Sequence, residues 1–232
     1  GVGMAIAAHR ANKPRTMGTL YWQLNDVWPA ISWSSMDVFG RWKPLHYRVR
    51  DLYQPLFAEV YHEGDSLRLR VVNDGLEATN ALLEVDAFDT LSGWVRRDSV
   101  LVDVGPNGVV NLPFLARSEL AVPDDQLVFR MRLIHGNQRS SASTSTLLPR
   151  WKLNLRDPEL RLRSDRDGDR NFYWVSSEYP AFGVWIEDRL SGRHFPTNYS
   201  DVFPFNFVGG EWPAGIDPGS LVIHSLYDLQ QH

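Results

Sequence analysis

Between residues 57 and 147, apolar side chains fall on every second position, and this alternation limits the fold more than any other feature of the chain. Leu67, Leu69 and Val71 interleave with Arg68 and Arg70; Leu83, Val85 and Ala87 with Glu84 and Asp86; Phe129, Met131 and Leu133 with Arg130 and Arg132. A period of two belongs to strands that bury one face. Turn-forming residues separate the runs at Glu63-Gly64-Asp65, Asn73-Asp74-Gly75, Gly105-Pro106-Asn107-Gly108, Pro123-Asp124-Asp125 and Gly136-Asn137. About seven short strands in about ninety residues predict an immunoglobulin-like sandwich. The chain has no cysteine, which excludes both a disulfide framework and thiol chemistry.

A second sandwich-like region is predicted over residues 159–232. Leu160 and Leu162 alternate with Arg161 and Arg163, a charged turn follows at residues 165–170, and residues 172–175, 182–186 and 221–226 read as strands. Residues 195–218, rich in Gly, Pro and aromatics, give no regular pattern. Residues 148–158, with two prolines, read as the linker between the sandwiches.

The opening is of another kind. Met4, Ala7, Ala8 and Ala11 fall at helical spacing, and Pro14 closes that helix. His9, Arg10, Lys13 and Arg15 cluster at its end and read as a solvated terminus, where cations suit the dipole. Residues 18–24 are apolar and aromatic and read as a short buried strand, stopped by Asn25-Asp26. A long loop follows, then a helix over residues 44–53 with Leu45, Val49, Leu52 and Tyr53 on one stripe. A single strand between two helices has no ladder partner and forms no stable sheet. The expectation is therefore the last βα unit of a (β/α)8 barrel whose other strands lie elsewhere, in the C-terminal part of a longer protein.

Four of the nine tryptophans, Trp22, Trp28, Trp33 and Trp42, fall in or beside that loop. Tryptophan faces stack on the C–H faces of a pyranose, while nearby amides, carboxylates and hydroxyls pair with its hydroxyls. A tryptophan-rich core beneath a loop is the competing reading. The order of residues bears on the choice. Met17-Gly18, Tyr21-Trp22-Gln23-Leu24-Asn25-Asp26, Trp28-Pro29, Ser32-Trp33, Gly40, Trp42-Lys43 and Leu45-His46-Tyr47 closely resemble the segment around the eighth barrel strand of the β-mannosidases of glycoside hydrolase family 2. The resemblance is looser from there to the C-terminus.

That resemblance implies a mixed fold: the end of a catalytic barrel in residues 1–56, an immunoglobulin-like sandwich in 57–147, a linker in 148–158 and a second such sandwich in 159–232. It implies part of a retaining exo-β-glycosidase that removes terminal non-reducing β-D-mannose. The acid/base and nucleophile glutamates of such enzymes, about 5 Å apart, would lie upstream of Gly1, so no catalytic residue is assigned here. Trp22 would lie beneath the terminal sugar. Asn25 and Asp26, at the strand's C-terminal end, would bond its hydroxyls or pin the loop, and Trp28 and Trp33 would form a wall. Other family 2 activities (β-galactosidase, β-glucuronidase, exo-glucosaminidase) and a non-catalytic carbohydrate-binding sandwich, with Trp94, Trp174, Trp185 and Trp212 as its face, are the alternatives.

A formal charge of −4 disfavours nucleic acid as a partner, and no apolar run reaches membrane-span length. Asp165, Asp167 and Asp169 around Gly168 lack the glycine position and final glutamate of a calcium loop, Ser176 standing where the glutamate belongs. The histidines are scattered without ligand spacing. No cofactor or metal is expected; the expected partners are an oligosaccharide ending in β-mannose and an upstream barrel domain. Asn198-Tyr199-Ser200 is a glycosylation sequon. The compartment stays open: periplasm or exterior for a bacterial source, lysosome for a eukaryotic one.

Overall fold

The computed structural model describes residues 1–136, 138–167, 170–190, 195–211 and 215–231, the side chains of 138–140, 167 and 218 excepted. The chain divides into two compact units, one of Gly1–Tyr21, Val49–Asp89 and Trp94–Asn154, the other of Trp22–Arg48, Thr90–Gly93 and Leu155–His232.

In the first unit the alternating runs become strands. β1 (Leu56–Glu63), β2 (Ser66–Asn73) and β5 (Val109–Ala116) form one antiparallel sheet in the order β1-β2-β5. β3 (Thr79–Asp89), β4 (Gly93–Val104), β6 (Leu127–His135) and β7 (Gln138–Thr146) form the other, in the order β4-β3-β6-β7. The register pairs Leu83 with Leu133, Val85 with Met131 and Ala87 with Phe129. These side chains pack with Leu67, Leu69 and Val71 of β2 in one core. This is the immunoglobulin-like arrangement that the alternation predicts.

The polar alternates depart from expectation. Glu84 opposes Arg132 and Asp86 opposes Arg130, yet Asp86 is fully buried and both arginines nearly so. Arg130 Nη2 donates to Asp86 at 2.7 Å, Arg132 Nη2 lies 3.0 Å from the same oxygen, and Arg97 of β4 donates to the other. Burial alone would push the Asp86 carboxyl up, but the hydrogen bonds of Arg97 and Arg130 and the charge of Arg132 hold it below the usual carboxylate range. Burial also lowers the Arg130 guanidinium, partly offset by Asp86.

α1 (Val2–Ala11) ends as expected before Pro14, and His9 and Arg15 of its basic cluster are exposed as expected, but Arg10 and Lys13 are not solvated. Arg10 is buried and donates to the carbonyls of Leu52, Gln54 (2.8 Å) and Pro55 (3.2 Å), and pairs with Asp74 at 3.0 Å. Lys13 also reaches Asp74 and Asn107. Carbonyls left open where a helix ends need donors, and a long guanidinium reaches three of them.

In the second unit, β8 (Arg161–Asp167), β9 (Arg170–Ser176) and β12 (Phe207–Glu211) form a sheet in the order β12-β9-β8. β10 (Ala181–Asp188), β11 (Ser200–Val202) and β13 (Leu221–His224) form another, in the order β11-β10-β13. Tyr173, Val175, Ala181, Val184, Ile186, Phe195, Val202 and Ile216 make their common core. The sequence left 195–218 unassigned, yet it holds β11 and β12. Gly209 in β12 explains part of that difficulty: a Cβ there would come within 2.1 Å of the Tyr173 carbonyl oxygen, so a poor strand former is required by close packing. The run read as a strand over 221–226 stops at His224, and Ser225 opens a short helix, α3, over Leu226–Gln230. Asn137 of a predicted turn, Trp212, and Gly168 and Asp169 of the charged turn lie outside the described residues, as does the side chain of Asp167.

The expected strand over 18–24 is not formed. The segment forms no strand ladder; its end is held by backbone bonds from Ser35 and Met36 to the carbonyls of Gln23 and Leu24 and by an isolated bridge of Asn25 to Met36. One strand without a neighbour leaves its backbone groups to water, and no barrel is present among the described elements. The helix expected over 44–53 is α2 (Pro44–Leu52).

Candidate functional site

Backbone bonds close the loop that follows residue 22. Met36 N–H donates to Leu24 O at 2.9 Å, Asp26 N–H to Met36 O at 3.0 Å and Lys43 N–H to Ser35 O at 2.9 Å. The Trp22–Gln23 peptide within the site is cis. Asp37 caps a tight turn, accepting from the backbone of Phe39 and Arg41, each at 2.9 Å, and from the Arg41 side chain. Gly40 completes that turn at φ +78°, a conformation that side chains resist.

Inside the loop, Asp26 is the hub. It is 4% exposed, with Ser32 donating to one oxygen and Lys43 Nζ to the other at 2.7 Å. Lys43 also donates to Ser34 Oγ at 2.7 Å, and Ser34 donates onward to Met36 O at 2.7 Å. Hydrogen bonds, first from Lys43 and then from Ser32, hold the Asp26 carboxyl below the usual carboxylate range. Asn25 is exposed and donates to the Asp26 carbonyl at 3.1 Å.

Around this polar hub the rings turn outward. Trp22 is 77% exposed, and Trp28 and Trp33 are each 67% exposed. Trp42 instead packs on α2, its ring 4.3 Å from that of His46 and 5.2 Å from that of Tyr47, and so anchors the loop as its position beside Lys43-Pro44 suggests. Exposed tryptophans on a loop with buried ionic bracing offer flat apolar faces at fixed positions, as stacking on sugar rings requires. Asp37, with its oxygens committed to the turn, has no geometry for proton transfer.

Three partners of the hub, Ser32, Ser34 and Lys43, escaped sequence reasoning. Lys43 stands 17 positions from Asp26, and no periodicity links residues across an irregular loop. The one available signal was that the loop contains few cations to answer its buried carboxylate.

Residues 65–150 match the family described as mannosidase Ig/CBM-like domain. β-Mannosidase A of Neosartorya fischeri is 28% identical over 191 residues, covering 75% of this chain and 20% of the fungal protein. β-Mannosidase of Capra hircus is 48% identical over 62 residues, 27% of this chain and 7% of the goat protein. The crystal structure of β-D-mannosidase from Dictyoglomus thermophilum superposes with a TM-score of 0.78 at 19% identity, covering 97% of this chain and 28% of that one.

In sequence and in fold, this chain is β-mannosidase-like. The sequence matches carry the resemblance, and the superposition extends the shared fold over nearly the whole length. The β-mannosidase-like chain spans about a fifth of the length of the fungal relative (20%). Among its described residues no helix is long and apolar enough to cross a membrane.

Proposed function

We propose that this chain is the C-terminal part of a glycoside hydrolase family 2 exo-β-glycosidase that removes β-D-mannose from non-reducing ends with retention of configuration. In this reading residues 1–56 complete a (β/α)8 barrel and residues 57–147 and 159–232 are sandwich domains of the same protein. The glutamate pair that performs the chemistry belongs to upstream strands, and the chain by itself is inactive. Trp22 supplies the platform beneath the terminal sugar. Trp28 and Trp33 wall the site, and Asn25 meets hydroxyls. Asp26, with both oxygens already bonded within the loop, serves by holding these residues in place.

The observation that carries the reading is the run Tyr21-Trp22-Gln23-Leu24-Asn25-Asp26 with Trp28-Pro29 and Ser32-Trp33, in a chain whose relatives are named β-mannosidases. A panel of aryl β-glycosides offered to the full-length protein tests it. The mannoside should be hydrolysed with the highest kcat/KM and its anomeric configuration retained. A preference for galactoside, glucuronide or glucosaminide moves the protein to another family 2 activity, and hydrolysis of none leaves a carbohydrate-binding protein.

A further inference from the structure

An unbroken run of aromatic rings leads from the tryptophan loop across the second unit. Trp42 meets Tyr47 at 5.2 Å, Tyr47 meets Tyr199 at 5.3 Å, Tyr199 stacks on Trp185 at 5.9 Å and 19°, and Trp185 stacks on His224 at 4.9 Å and 24°. Tyr47 is 1% exposed and its hydroxyl donates to the Phe195 carbonyl at 3.2 Å. The run therefore starts on the residues that close the loop and ends on the edge strand β13.

Tyr199 is the unusual member. Its φ is +61°, in the left-handed region that glycine and asparagine enter readily and a bulky residue rarely does. The turn around it is tightly held. Tyr199 N–H donates to Val184 O at 2.7 Å. Asn198 is buried, its amide accepting from Ile186 N–H at 2.9 Å and donating to Ile186 O at 3.0 Å. With that amide buried and both its ends engaged inside the fold, attachment of a glycan at Asn198 would require this turn to open. A position whose backbone suits glycine but which holds a tyrosine is filled for the sake of the ring, and that ring lies between Tyr47 and Trp185.

We propose that Tyr199 is a positioning residue for the tryptophan loop, acting through Tyr47 and Trp42 on the placement of Trp22, Trp28 and Trp33. This rests on the sugar-binding reading of that loop. Packed rings transmit a displacement because each has discrete arrangements against its neighbour. Loss of the Tyr199 ring removes one packing partner of Tyr47 and so relaxes the Trp42-Lys43 end of the loop, from which Lys43 reaches Asp26 at 2.7 Å.

The test uses the full-length protein and an aryl β-D-mannoside. In Tyr199→Leu the KM should rise about three- to thirtyfold while kcat stays near wild type, and Tyr199→Phe, which keeps the ring, should match wild type. A Tyr199→Leu enzyme with wild-type KM overturns the proposal, as does a Tyr199→Phe enzyme equally impaired. If Tyr199→Leu does not fold, Tyr199→Asn takes its place, since asparagine enters the left-handed region readily and removes the ring: a raised KM supports the relay and an unchanged KM overturns it. Fluorine NMR of protein labelled with 5-fluorotryptophan reads the relay without catalysis. The Trp42 resonance, assigned with Trp42→Phe, should shift in Tyr199→Phe by little and in Tyr199→Leu or Tyr199→Asn by more; a resonance unmoved in the variants that lack the ring overturns the relay. Protein that hydrolyses no mannoside but shows the shift would sink the sugar reading and keep the relay.

Discussion

The sandwich of residues 56–146 and the loop of residues 22–43 treat apolar side chains in opposite ways. In the sandwich, Leu67, Leu83 and Phe129 are wholly buried, and even Asp86 is drawn in among arginines. In the loop, the inside is ionic and the rings of Trp22, Trp28 and Trp33 face out. Burial of apolar area stabilises the first region at roughly 25 cal/mol per Å²; in the loop the buried groups are the ion pair and its hydrogen-bond partners.

The contrast breaks if the two regions respond alike to truncation. Asp86→Ala should have the largest effect, about 3–5 kcal/mol lost in guanidinium unfolding, because Arg130 and Arg132 are left buried without their carboxylate. Leu83→Ala should cost about 2–5 kcal/mol by the same measurement, from lost burial and a cavity in the core. Trp22→Ala and Trp28→Ala should each change stability by less than about 0.5 kcal/mol. A loss at either tryptophan as large as that of Leu83→Ala would place the ring in the core.

The smallest effect sharpens the picture of the hub. The Asp26 carboxyl is held below its ordinary value by Lys43 and Ser32. A carboxylate depressed in the fold stabilises it fully above the unfolded value, near about 3.9, and the contribution is lost as pH falls through the lower folded value. Thermal unfolding of wild type should thus exceed that of Asp26→Asn at pH 7, with the gap closing as the pH is taken down from about 4. A gap that stays constant across that range would mean that the ion pair contributes nothing.

What the sequence disclosed follows the same division. Alternation exposed β2, β3 and β6 because one face of each is buried, and burial leaves a period in the residues. It did not disclose the burial of Asp86, Arg130 and Arg132, since the pattern distinguishes faces and not whether the second face is covered. Phe207 to Glu211 escaped notice because close packing against Tyr173 demands Gly209, which removes the apolar signal of a strand. In the loop, the tryptophans were legible as residue types and in their resemblance to β-mannosidases. The bracing by Ser32, Ser34 and Lys43 was not, because an irregular backbone brings distant positions together without any repeat to announce it.

The most direct test is the kcat/KM of full-length wild type against Trp22→Ala on an aryl β-D-mannoside. The account predicts a fall of about 30- to 1,000-fold, corresponding to roughly 2–4 kcal/mol of lost stacking and position. A variant within about twofold of wild type would remove Trp22 from the site and contradict the sugar-binding role of the loop.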